Sequence, residues 1–163
     1  MQQHADVAIT GSGFSGSILA WILAKQGFRT ALIDSARHPR FAVGESSTPI
    51  ADMILRRLGG EYELDSLESL STWGGWQRSF PQIACGKKRG FSYYVHSRGQ
   101  VFQESTRGER SMLVAASASD AVSDTHWYRC EVDQYFFEQA IQSGAIDLTG
   151  HTVVSCQEIG PLR

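Results

Sequence analysis

The stretch Asp6-Val7-Ala8-Ile9-Thr10-Gly11-Ser12-Gly13-Phe14-Ser15-Gly16 drives an apolar strand straight into a Gly-x-Gly-x-x-Gly turn, and few folds accept such a sequence. Gly11 permits a tight turn off the strand, Gly13 lets the backbone approach a pyrophosphate, and Gly16 allows the following helix to pack close to the sheet. Ile18, Leu19, Ile22 and Leu23 recur at helical intervals, Gly27 supplies a stop, and Thr30-Ala31-Leu32-Ile33 predicts a second buried strand ending on Asp34. An acid about twenty residues past the turn is where a carboxylate accepts hydrogen bonds from an adenosine ribose. Residues 1–34 therefore predict a βαβ dinucleotide unit of an α/β fold. Its diphosphate would sit at the helix start, over Phe14, Ser15 and Gly16, where N–H groups and the positive end of the dipole face it.

With 163 residues, 42% of them hydrophobic, and a net charge of −2, the chain can build one domain with a real core. It falls short of a complete two-domain flavin or nicotinamide enzyme, so a truncated or split polypeptide is expected. Lys87-Lys88-Arg89 is an isolated basic run, which excludes the charge stripe of a nucleic-acid binder. No apolar run approaches the roughly twenty residues of a membrane span, and Met1-Gln2-Gln3-His4 lacks a signal-peptide core. A cytoplasmic protein without a membrane partner is expected. Cys85, Cys130 and Cys156 show no paired spacing, and His4, His38, His96, His126 and His151 show no ligand spacing, so no metal site is assigned and the histidines receive no role.

Further along, Thr48 before Pro49 predicts a helix start, with Ile50, Met53, Ile54 and Leu58 lining its inner face and Gly59-Gly60 ending it. Glu61 to Leu70 predicts a short surface helix. Trp73-Gly74-Gly75-Trp76 reads as too glycine-rich for a helix, its indoles serving to anchor a loop to the core or to cover a planar ligand. Phe91–Val95 and Gln100–Gln103 flank a turn and predict a hairpin. Glu104 to Asp124 reads as a long loop. Val132, Phe136, Phe137, Ala140 and Ile141 predict an amphipathic helix stopped by Gly144, followed by a final strand at Thr152–Cys156.

Several segments together resemble the N-terminal part of flavin-dependent halogenases of the tryptophan-halogenase type. They are the glycine unit ending in Leu32-Ile33-Asp34, then Pro39-Arg40-Phe41-Ala42-Val43-Gly44-Glu45-Ser46-Ser47-Thr48-Pro49, then Lys88-Arg89-Gly90-Phe91-Ser92-Tyr93, and Arg129 followed by Asp133. The resemblance implies a Rossmann-like FAD-binding domain of the glutathione-reductase type, truncated, with part of an attached substrate region. It places the dinucleotide unit at 1–34, an insertion toward the substrate region at 72–128, and a return to the FAD domain at 129–158. It further implies FAD held by Gly11, Gly13, Phe14, Ser15, Gly16, Asp34 and Arg40, a strap of Gly44, Glu45, Ser46, Ser47, Thr48 and Pro49 over the isoalloxazine, and Arg129 at the phosphates or ribose or in a surface ion pair.

In the family, Lys-x-Gly-x-x-aromatic carries the catalytic lysine; Lys88, with Gly90 and Tyr93, matches it, and Lys87 is the neighbour. The implied chemistry begins with reduced FAD from a separate flavin reductase. Oxygen then gives a flavin hydroperoxide, halide attack gives hypohalous acid, and Lys88 aims that acid, by hydrogen bond or as a haloamine, at a small electron-rich aromatic substrate. A lysine otherwise in this basic run would be a solvated surface group. The family's Trp-x-Trp-x-Ile-Pro signature is not matched by Trp73-Gly74-Gly75-Trp76 and would lie past residue 163, in a C-terminal half or a companion chain. An FAD monooxygenase or prenyl reductase on the same fold, and a non-catalytic FAD-binding fragment needing a second chain, are the alternatives.

Overall fold

In the computed structural model of the chain, the residues described are 4–115, 117–157 and 160. The elements are β1 (Val7–Thr10), α1 (Phe14–Lys25), β2 (Thr30–Asp34), α2 (Pro49–Tyr62), α3 (Asp65–Ser69), α4 (Trp73–Ser79), β3 (Cys85–Lys88), β4 (Gly90–Tyr94), β5 (Ser111–Ala115), β6 (Asp124–Trp127), α5 (Arg129–Gln142) and β7 (Ile146–Thr149), with one 3-10 turn at Asp120–Val122. They divide into two compact units, Met1–Gly44 with Arg129–Arg163, and Glu45–Tyr128.

The first unit is a parallel sheet in the order β1-β2-β7, with Ile9 opposite Leu32 and Leu32 opposite Asp147. Helices α1 and α5 pack together. Ile18, Ala20, Trp21 and Ile22 of α1 and Val132, Phe136 and Ala140 of α5 are buried. Full burial of a side chain such as Phe136 stabilises by about 2–3 kcal/mol, so this apolar seam is what carries the glycine turn. A Cβ at Gly16 would lie 2.0 Å from the Gly11 carbonyl oxygen, which is the close helix–strand approach expected of the third glycine. The last strand differs from expectation. It forms at Ile146–Thr149, directly after Gly144 turns the chain at φ +103, while Thr152–Cys156 is exposed and unpaired in any ladder. The helix-to-strand turn is short, so the first residues after it reach β2 and the more strand-like run overshoots the sheet.

The second unit joins three helices to two antiparallel strand pairs, β3 with β6 and β4 with β5. Its core is Leu55, Leu64, Leu67, Leu70, Trp76, Ile83 and Trp127. Five expectations fail here. Helix α2 continues through Gly59-Gly60 and leaves the helical path only at Glu63, φ +53, because a helical glycine costs only about 1 kcal/mol. Its inner face is Asp52, Leu55 and Gly59, while Ile50, Met53 and Ile54 point outward; a polar residue with buried partners has displaced the apolar row. Trp73-Gly74-Gly75-Trp76 opens helix α4, capped by Thr72, whose hydroxyl accepts from the Gly75 amide at 3.1 Å. A Cβ at Gly74 would lie 2.5 Å from the Ala121 carbonyl oxygen, so the glycine serves packing and not flexibility. Trp76 is wholly buried and donates its indole N–H to Ile83 at 2.8 Å, the core-anchoring role.

Strand β4 pairs with β5, Phe91 opposite Val114, and not with Gln100–Gln103. The supposed loop of Glu104 to Asp124 thus holds a strand, a 3-10 turn and the start of β6. Strand β5 is exposed along its whole length and shows no alternation, so periodicity does not mark it as a strand. The helix predicted within Glu61 to Leu70 is the five residues of α3. Among the described residues no helix is long and apolar enough to cross a membrane.

Candidate functional site

In the first unit, Gly11 adopts φ +100 and turns the chain from β1 into α1. Among the described residues no side chain caps α1, its first turn carries no acid, and Lys25 sits in its last turn, an arrangement that suits an anion at the helix start. A Cβ at Gly13 would meet Arg40 Nη2 at 3.6 Å and, both at 3.8 Å, Arg129 Nη2 and the Asp133 Oδ2 paired with it. These are ordinary contacts, so the protein itself would tolerate a side chain there. Two guanidiniums therefore stand beside the turn. Arg40 Nε is buried with no acceptor among the described residues, and a diphosphate oxygen is the partner such a donor lacks; the donor set fits a dinucleotide.

Asp34 closes β2. Its carboxylate accepts from the Ser12 amide at 2.7 Å, the Ser12 hydroxyl at 2.9 Å, the Ala36 amide at 2.9 Å and Arg40 at 3.1 Å. Burial pushes its pKa up, but the Ser12 and Ala36 amides, the Ser12 hydroxyl and the Arg40 charge outweigh that and hold it below the usual carboxylate range. The carboxylate edges a cleft of about 320 Å³ lined by Thr10, Gly11, Ile33, Ser35 and His151. His38, given no role by its spacing, stacks on Phe137 at 4.9 Å and holds the Ser12 carbonyl at 2.9 Å. Its pKa is lowered, chiefly by burial.

Arg129 opens α5 in a buried, bidentate pair with Asp133, 2.7 and 2.8 Å. It also donates to the Val43 and Gly44 carbonyls at 2.8 and 3.3 Å and lies over the Phe14 ring. The surface ion pair considered for it is thus a buried one that ties down the chain before the strap. Ser15 is exposed.

In the second unit, Glu45, Ser46 and Ser47 run alongside β6. The Trp127 amide donates to the Glu45 carbonyl at 2.6 Å, the Ser47 amide donates to Thr125 at 2.9 Å, and Ser46 bridges to His126. Thr48 caps α2, its hydroxyl accepting from the Ala51 amide at 3.2 Å, with Pro49 at the first helical position. Lys88 ends β3 opposite Asp124 and turns inward, 6% exposed, where it donates to the Ser47 carbonyl and stands 3.8 Å from the Phe91 ring centre. Burial lowers its pKa, and the charges of Asp124 and Asp52 oppose that. Lys87 and Arg89 turn outward and share Asp120, each at 2.6 Å. So the structure separates Lys88 from its basic neighbours. A larger cavity in this unit, about 350 Å³, is lined by Arg56, Glu68, Ser71 and Arg78, none of them a candidate from the sequence.

Asp52, Asp124, Thr125 and Trp127 join this cluster without having been singled out. Asp124-Thr125-His126-Trp127 has no apolar alternation, because Asp124 and Thr125 are both buried beside Trp127. An acid in the first turn of a capped helix is ordinarily a dipole partner, so Asp52 gave no signal.

A strand, glycine turn, helix and strand ending on an acid, with two arginines at the turn, define a Rossmann-like dinucleotide-binding domain. Residues 9–49 match the NAD(P)-binding Rossmann-like domain family. The chain is 36% identical over 141 residues to monodechloroaminopyrrolnitrin halogenase PrnC of Pseudomonas fluorescens, covering 86% of this chain and 24% of that protein. It is 35% identical over 141 residues to tetracycline 7-halogenase of Kitasatospora aureofaciens, covering 85% and 24%. The solved structure of halogenase PltM in complex with phloroglucinol and FAD superposes with a TM-score of 0.80 at 28% identity, over 96% of this chain and 30% of PltM. The chain belongs to the flavin-dependent halogenases and spans about a quarter of the length of the curated relatives it matches.

Proposed function

We propose that this protein uses FAD to halogenate an electron-rich aromatic carbon, with reduced flavin delivered by a separate flavin reductase. Bound and reduced, FAD supplies the oxygen chemistry that converts halide into hypohalous acid. The turn of Gly11, Gly13 and Gly16, with the amides of Phe14 and Ser15, holds the diphosphate, Arg40 adds charge, and Asp34 accepts from the adenosine ribose. The strap of Gly44, Glu45, Ser46, Ser47, Thr48 and Pro49 lies against the isoalloxazine. Arg129 secures the entry to that strap through Val43 and Gly44. Residues 72–128 serve the substrate region, and 129–158 complete the FAD-binding fold.

Lys88 is the group that handles the halogenating species. Its ammonium carries three donors; the Ser47 carbonyl engages one, and a second suffices to hold hypohalous acid by hydrogen bond. Withdrawal from water also makes the neutral amine easier to reach than in a surface lysine. The observation that carries the reading is the inward, buried placement of Lys88 in a chain of this family. The test is mass spectrometry of a phenol or an indole incubated with the protein, FAD, a flavin reductase, oxygen and bromide. A brominated product is expected; purely hydroxylated product would make the protein a monooxygenase and overturn the reading.

A further inference from the structure

Behind Lys88 lies a chain of buried polar groups whose direction is fixed at one end. The Trp127 indole can only donate, and it donates to Thr125 Oγ1 at 2.8 Å. Thr125 Oγ1 in turn donates to Ser47 Oγ at 3.2 Å, and Ser47 Oγ is left to donate to the Asp52 carboxyl. Asp52 and Asp124 lie within hydrogen-bonding reach of each other, 3% and 4% exposed, and one oxygen on each, Asp52 Oδ1 and Asp124 Oδ2, is buried with no hydrogen-bond partner among the described residues. Two carboxylates cannot bond to one another without a proton, and two full charges held this close repel strongly. One proton between them cures both defects. It also leaves one negative charge, which balances the single positive charge of Lys88.

We infer that Asp52 and Asp124 share one proton and together act as a positioning pair that keeps the buried Lys88 an ammonium aimed by the Ser47 carbonyl. The inference rests on the proposed role of Lys88. The charged and titratable groups around the pair are Lys88 and Cys85 on β3, Asp124 itself on β6 and Arg56 on α2. Burial, then Asp124, push Asp52 up to about 7, and Arg56 and the Ser47 hydroxyl oppose this. Burial, then the Asp52 charge, push the Cys85 thiol up to about 12, which leaves it a neutral bystander.

The test is carbon-13 NMR titration of the aspartate carboxyls and of the lysine Cε positions in the whole chain, for wild type, Asp52→Asn, Asp124→Asn and the double variant. In wild type, the pair is expected to titrate in two steps, one of them near neutral pH. Either single substitution copies a protonated acid and abolishes the near-neutral step. Both together remove the last negative charge and lower the Lys88 midpoint by at least one pH unit, a tenfold change in proton affinity. Wild-type carboxyls that both titrate near 4, or a Lys88 midpoint unmoved in the double variant, overturn the inference. If the double variant does not fold, loss of the near-neutral step in both single variants decides it, and its survival in either sinks it. Lys88→Ala separates the two readings. Undiminished halogenation by that variant removes the role of Lys88, whereas the carboxyl titration alone judges the shared proton.

Discussion

Both units bury a cation, and they neutralise it in opposite ways. In the Rossmann-like unit, Arg129 and Asp133 sit one helical turn apart on α5 and meet in a fork-to-carboxylate pair that is complete in itself. In the Glu45–Tyr128 unit, Lys88 comes from β3, Asp124 from β6 and Asp52 from α2, and two acids face one base. The first arrangement is a fixed clamp between two neighbours on one helix. The second reaches neutrality only with a proton in it, and so responds to pH.

Removing half of the clamp has the largest expected effect. Arg129→Ala strips the wholly buried Asp133 of its partner, which costs about 3–5 kcal/mol. At roughly 2–4 °C per kcal/mol for a chain of this size, calorimetry should show Tm lower by roughly 10 °C; a Tm within a degree of wild type would mean that the pair is not the clamp. Lys88→Ala should leave FAD bound and cut halogenation by about 10²- to 10⁴-fold, the usual share of a positioned proton-handling group. Unchanged turnover would move the role elsewhere, Lys87 being the first candidate.

The glycines sharpen the contrast between a turn that serves the fold and one that serves a ligand. Gly16→Ala drives a methyl group into the Gly11 carbonyl and should destabilise by about 3 kcal/mol, read by denaturant titration. Gly13→Val should keep its fold, because a Cβ there makes only ordinary contacts with Arg40, Arg129 and Asp133, and should lose the flavin spectrum, because the side chain takes the place of the diphosphate. Retained FAD in that variant would contradict the assignment.

Stability against pH separates the units again. Asp34 has a lowered native pKa, so its contribution is present above the unfolded value near 4 and is lost as pH falls through the native one. Asp52 has a raised one, so the native state holds an extra proton between about 4 and about 7 and stability falls as pH rises through that window. Urea midpoints across this range should lose the neutral limb in Asp52→Asn and keep the acid limb. The smallest effect belongs to Lys87→Ala. Its pair with Asp120 is open to solvent and should leave both Tm and activity unchanged.

How much could be read beforehand follows from how each site is built. The dinucleotide turn is made of backbone within one contiguous run, so Gly11 to Gly16, the Asp34 acid and the Thr48-Pro49 cap were legible from local spacing. The strap could be named from its resemblance to the halogenases, but not its attachment. That attachment is Ser47 against Thr125, residues far apart in sequence with no periodic signal. Helix α2 misled because its apolar row faces outward and an acid faces in, and α4 misled because Gly74 and Gly75 answer to neighbours that the chain supplies elsewhere.

By itself the sequence determined the α/β class, the strand–turn–helix geometry and the kinship with flavin-dependent halogenases, since these depend on steric rules acting over a few adjacent residues. Only the tertiary structure decided that Lys88 turns inward and Lys87 outward, and that two acids stand behind the one that is buried. Strand register sets the face on which every side chain falls, and the pairing of β3 with β6 is a property of the folded chain.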